Sequence, residues 1–174
     1  YHGTPIGGTN VNVALFASGR HFLIPFKGQH DLPVIAETAT SFCFDNSAYS
    51  AWRAGKPITD WDEYYDWCSK WSHHPGFDFA LIPDVIDGTE AENDKLIEWW
   101  RALNPSRGIP VWHLHESLTR LEALADEWDY LALGSSGAWK MPGTAGWWNR
   151  MQEIMLVLAD DHGRPITRLH GLRM

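Results

Sequence analysis

The chain has 174 residues, 44% of them hydrophobic, and a formal net charge of −8. That length predicts one domain, residues 1–174, with a sizeable core, and no stretch approaches the roughly 20 consecutive apolar residues of a membrane helix. The acidity is local, with 15 acidic and 5 basic side chains in residues 61–130 against 3 and 5 in residues 131–174. Overall charge therefore announces no nucleic-acid partner but leaves a local basic face open.

Residues 11–16, VNVALF, read as a first strand, and residues 21–26, HFLIPF, as a short extended piece. An apolar strand at 41–45 runs into Asp45 and Asn46. A helix over 60–71 follows, capped by Thr59 and carrying an aromatic face of Trp61, Tyr64, Tyr65, Trp67 and Trp71. The strand at 78–82 leads to Asp84. Thr89 and Glu92 form a capping-box pair that opens a helix running to Leu103, stopped by Asn104, Pro105 and Gly108.

The strand at 110–114 ends in His113, His115 and Glu116, and Ser117 caps a helix with Leu118, Leu121 and Leu124 on one stripe. The strand at 129–133 meets Gly134, Ser135 and Ser136. A helix over 144–159 places Trp148, Met151, Met155 and Leu158 in register, and a last strand near 166–170 ends at His170. Among eleven tryptophans, Trp99–Trp100 and Trp147–Trp148 are adjacent, so one of each pair must face a rim or an interface.

Strand and helix alternate, which predicts a parallel sheet with helices outside it. Neither dinucleotide nor P-loop fingerprint is present. Polar groups at the carboxyl ends of successive strands point to one shared cleft and favour a (β/α)8 TIM-barrel-like α/β fold over an open sheet. About six strands are countable, so the barrel is expected to be incomplete within this chain, with a further segment or a second chain completing it. Cys43 and Cys68 lack metal spacing or a disulfide framework, which predicts buried free thiols and a reducing, cytoplasmic setting.

Several constellations carry chemistry. Asp45, at a strand end before Asn46 and small residues, can accept two N–H donors of a planar heterocycle, or else close an Asx turn. Asp84 stands in the equivalent place one strand on, and two carboxylates can recognise a base together or divide acid and base roles. His113 and His115 share one strand face, where they can hydrogen-bond a ligand, or bind a metal with Glu116 or His170, or pack structurally. The Gly134-Ser135-Ser136-Gly137 loop offers backbone N–H groups to an anion or a carbonyl oxygen. No G-x-S-x-G elbow supports a serine triad.

The ordered set FDNSAYSAW, LIPDV, IPVWHLHES, YLALGSSG and ITRLHGLRM resembles the tRNA-guanine transglycosylase superfamily, most closely its phage and bacterial members that insert 7-deazaguanines into nucleic acid. The resemblance covers roughly residues 41–174. It implies a barrel in which Asp45 and Asp84 contact the base, His113 or His115 replaces the family's usual glutamine, and the strand end at Leu133-Gly134 completes the pocket. Asn46 and Tyr49 depart from the family's usual Ser and Phe.

The implied reaction is base exchange at a glycosidic bond through a covalent intermediate, with guanine or a 7-deazaguanine as partner and tRNA or DNA as acceptor. The family's nucleophilic Asp and its Cys/His zinc site fall outside this chain, so no cofactor is expected within it. Two other readings stand beside this one. One is a non-catalytic nucleobase- or nucleotide-binding module, and the other is a metal-dependent hydrolase using His113 and His115.

Overall fold

The computed structural model describes residues 1–172, and the α/β alternation expected from the sequence is present. The expected single domain is built from two compact units, Tyr1–Ile82 with Trp99–Gly108, and Pro83–Glu98 with the chain from Ile109 on.

The first unit begins with β1 (His2–Gly3), followed by α1 (Asn10–Ala17), β2 (His21–Pro25), α2 (Leu32–Thr38), β3 (Ser41–Asp45), α3 (Ala48–Arg53), α4 (Asp62–Trp71) and β4 (Phe77–Leu81). Parallel pairing joins β1 to β2, β2 to β3, and β3 to β4. A five-stranded sheet is completed on the β4 side by β5 (Gly108–Ile109). Phe22, Ile24, Phe42, Phe44 and Phe79 are fully buried along these strands. The helices close over them, with the Trp67 ring stacked on Phe44 at 3.7 Å and the Tyr64 hydroxyl donating to the Leu81 carbonyl at 2.7 Å.

Residues 11–16 are helix, not strand. Thr9 caps α1 by accepting from the Asn12 N–H, and only Val13 and Ala17, one helical turn apart, turn inward. The β-branched valines suggested a strand, but His2–Gly3 takes the place beside β2. At α4 the expected Thr59 cap does not form: Trp61 takes the N-cap position without a side-chain bond, and just before it the Asp60 carboxylate accepts the Asp62 N–H at 3.0 Å.

Helix α5 (Glu90–Leu103) contributes to both units. Its capping box forms as expected, with Thr89 N–H donating to Glu92 at 2.8 Å and Glu92 N–H donating to the Thr89 hydroxyl at 3.3 Å. It ends at Asn104, which takes the left-handed conformation (φ 46°) that lets its N–H close on the Trp100 carbonyl at 2.7 Å.

The second unit holds β6 (Val111–His113), α6 (Leu118–Glu127), β7 (Tyr130–Gly134), α7 (Ala145–Leu158) and β8 (Arg168–Leu172). These strands form a three-stranded sheet in the order β6-β7-β8, parallel throughout. Pro110, which has no N–H to give, separates β5 from β6. Every residue of β7 is buried, as expected for a parallel strand covered on both faces.

Ser117 caps α6 as expected. The inward stripe of α7 is Trp147, Arg150, Ile154 and Leu158, so Leu158 faces inward as expected while Trp148, Met151 and Met155 are each one position off. Each adjacent tryptophan pair splits as anticipated: Trp100 and Trp147 are buried, while Trp99 and Trp148 are exposed. Cys43 and Cys68 are buried free thiols. No helix among the described residues is long and apolar enough to cross a membrane.

Candidate functional site

In the first unit, β3 delivers Asp45 to a tightly wired turn. The Asp45 carboxylate accepts the Ser47 N–H at 2.7 Å, which is the Asx-turn arrangement. Ser47 itself is left-handed (φ 64°), a conformation that costs a serine about 1–2 kcal/mol and is held only where its surroundings enforce it. The enforcement is visible in the Lys27 N–H, which donates to the Ser47 hydroxyl at 3.1 Å.

Asn46 is 2% exposed, with its amide NH2 on the Ile82 carbonyl at 2.8 Å and its amide oxygen accepting the Ala48 N–H at 2.9 Å. Its side chain thus ties the turn to the main chain.

The second unit brings Asp84 and His113 together. Pro83 and Asp84 follow β4 in sequence, and β6 ends at His113. Asp84 Oδ2 and His113 Nε2 lie 2.8 Å apart, both residues buried. The other ring nitrogen, Nδ1, sits 3.6 Å from Glu116 Oε1, within ion-pair range but too long for a good hydrogen bond.

Glu116 is itself surrounded by donors. Its Oε2 accepts the His113 N–H at 3.0 Å and Arg120 Nη1 at 2.6 Å, and its Oε1 accepts the Asn93 amide at 3.0 Å. Arg120 continues outward to Asp94 through Nε at 2.8 Å and Nη2 at 2.7 Å. Asp94 is half exposed, and there the chain of alternating charge meets solvent.

Electrostatics follow from this wiring. Burial desolvates the His113 imidazolium and alone pulls its pKa down, yet the hydrogen bonds and charges of Asp84 and Glu116 win and push it up to about 9. Burial likewise opposes the Glu116 carboxylate, but His113 and Arg120 outweigh it and hold its pKa below the ordinary range. The core of the cluster thus alternates acidic and basic side chains, Asp84, His113, Glu116 and Arg120, with His113 protonated at neutral pH. That alternation is the condition under which buried ions are tolerated.

The rest of the strand-end face is built around this pair. The His115 ring stacks beside His113 (centroids 5.6 Å apart, planes at 22°), and its Nδ1 meets the Ser136 hydroxyl at 2.7 Å. A Cβ on Gly134 would lie 3.3 Å from His113 Cδ2, so glycine lets β7 approach the imidazole closely. The Ser135 hydroxyl accepts the Trp147 indole N–H at 3.2 Å. Arg150 binds the loop after β6 from below, donating to the Leu114 carbonyl at 2.9 Å and the Glu116 carbonyl at 2.6 Å, with its guanidinium over the rings of Trp112 and Trp139.

His170 is half-buried in the middle of β8, not at a strand end. Its ring nitrogen lies 3.5 Å from the Tyr130 hydroxyl, and burial lowers its pKa. A metal at His113 would have to displace the Asp84 contact, and among the described residues no group of three or more His, Cys, Asp and Glu is arranged to hold one. An open depression does exist in this unit, lined by Asp129, Pro165, Ile166, Thr167, Arg168 and Leu169. It sits where the chain enters β8, away from the strand ends that carry the titratable groups.

Sequence reasoning missed the buried partners of the pair, Asn93 and Arg120. A signal was present for Arg120, because it occupies the apolar stripe of α6 four residues before Leu124 and four after Glu116. No protein-family model matches the chain, and neither a curated protein nor a solved structure matches it.

Proposed function

We propose that the strand-end face of the second unit recognises a guanine-like base, and that the chain is a base-exchange glycosyltransferase of the transglycosylase type. The observation that carries this reading is the Asp84–His113 contact at 2.8 Å. Two residues assigned to one pocket from separate motifs are hydrogen-bonded to each other. A carboxylate fixed by a neighbouring cation is an acceptor for adjacent N–H groups, and guanine and 7-deazaguanines present a ring N–H beside an exocyclic amine.

In this reading the His113 cation fixes Asp84 and does not itself ligate a metal. The exchange proceeds by attack of a carboxylate on the anomeric carbon, departure of guanine, and attack of the incoming base on the covalent intermediate. Asp84 binds the base. The family resemblance gives a (β/α)8 barrel as the finer description of the β/α alternation. The acceptor is a nucleic acid whose target base is unpaired or flipped.

Calorimetric titration of the chain with guanine and 7-deazaguanine, with adenine as control, tests the reading. Guanine-type bases should bind and adenine should not. Asp84→Asn should weaken binding by about 1.5–3 kcal/mol, roughly tenfold to a hundredfold, because a charged acceptor becomes neutral. Equal binding of adenine, or full affinity in Asp84→Asn, would refute it.

A further inference from the structure

Glu116 and Arg120 lie behind the Asp84–His113 pair, where neither is placed to touch a ligand held by Asp84. Glu116 is 3% exposed and Arg120 6% exposed, yet both are charged. Buried charges of this kind destabilise a fold relative to well-packed apolar residues unless their partners are numerous and well placed. Here the partners converge on one imidazole. Glu116 grips the His113 main chain through its N–H and faces the ring at Nδ1, while Arg120 and Asn93 fix both carboxylate oxygens of Glu116.

The groups facing His113 are thus Asp84 at Nε2, Glu116 at Nδ1 and the parallel ring of His115, with Arg120 and Asp94 one and two steps further out. Neither ring nitrogen can turn toward another acceptor without losing one of these carboxylates.

We propose that Glu116 and Arg120 are positioning residues, which lock the His113 ring between two carboxylates so that Asp84 meets its ligand as an immobilised acceptor. The inference rests on the base-recognition reading and deepens it, since it assigns the selectivity of Asp84 for N–H donors to Glu116, which grips His113, and to Arg120, which grips Glu116. Removing the Glu116 charge leaves His113 with one anionic partner. The imidazole then releases its proton nearer neutrality, and Asp84 loses the cation that keeps it aimed.

Two measurements on the full chain separate this from a merely structural role. The first is the NMR titration of the His113 ring in the wild type and in Glu116→Gln, Arg120→Met and Arg120→Lys. The midpoint should lie at about 9 in the wild type. It should fall by about one pH unit or more, a tenfold loss of proton affinity, in Glu116→Gln and Arg120→Met, and recover largely in Arg120→Lys. The second is guanine titration of the same proteins, in which affinity should follow the His113 midpoint and not the melting temperature.

A His113 midpoint unchanged in Glu116→Gln would overturn the proposal. So would a base affinity that drops equally in Arg120→Met and Arg120→Lys. If the wild type bound no guanine-type base, the base-recognition reading would fail, and the His113 titration would still decide whether Glu116 and Arg120 control the ring.

Discussion

Raising the pH should destabilise this protein through one residue. His113 has a pKa near 9 in the folded chain against 6.5 for an ordinary imidazole. A histidine with a raised folded pKa contributes stability that is fully present below its unfolded value and is lost as pH rises through its folded value. Between pH 6.5 and 8.5 the unfolded chain gives up this proton while the folded chain largely keeps it, which removes about 2 kcal/mol of stability, at about 1.4 kcal/mol for each pH unit between the two midpoints.

The assay is urea unfolding at pH 6.5, 7.0, 7.5, 8.0 and 8.5 for the wild type and His113→Gln, which has no proton to lose. Groups away from the cluster titrate alike in the two proteins, so their difference reports His113 together with Glu116, whose pKa it helps to hold down. Among them, buried Cys68, pushed up to about 12 by desolvation, enters only as the unfolded thiol begins to ionise at the top of the range. Wild-type stability should fall by about 2 kcal/mol more than that of the variant. Parallel curves would refute the ion-paired description of the Asp84–His113–Glu116 cluster.

Two packing predictions accompany it. A Cβ at Gly108 would sit 2.2 Å from Trp100 Nε1, so Gly108→Ala must shift a buried indole and should cost about 1–3 kcal/mol in chemical unfolding. The adjacent tryptophans of α7 should part company: Trp147→Ser, removing a buried ring that donates to Ser135, should cost about 3–5 kcal/mol, whereas Trp148→Ser should stay within about 0.5 kcal/mol of the wild type.

Much of the architecture was legible because its signals are local. The Thr89/Glu92 capping box, the Ser117 cap and the apolar body of β7 each determine an element within a few residues, and each formed where expected. Residues 11–16 misled because valines and a phenylalanine favour strands, while the deciding interaction, the Thr9 cap, lies just outside the apolar run. The α7 stripe was misassigned because an arginine was not counted as a buried residue. Arg150 is buried through its bonds to the carbonyls of the loop after β6, a partner that no spacing in α7 reveals.

The site was legible in part for the same reason. Strand-end position singled out Asp84 and His113, and the structure joins them. Spacing could not show that Asn46 would turn both ends of its amide to the main chain, nor that Asn93 and Asp94, on α5, would meet Glu116 and Arg120, more than twenty residues later. Such pairings depend on how a helix settles against a sheet, and no short motif records that.

The most direct test of base recognition is a crystal structure of the chain soaked with 7-deazaguanine. The account predicts the ring lying flat beside Gly134, with its ring N–H and exocyclic amine within hydrogen-bond distance of the Asp84 carboxylate and the Asp84–His113 contact kept. A base bound elsewhere, or Asp84 turned away from the bound base, would contradict it.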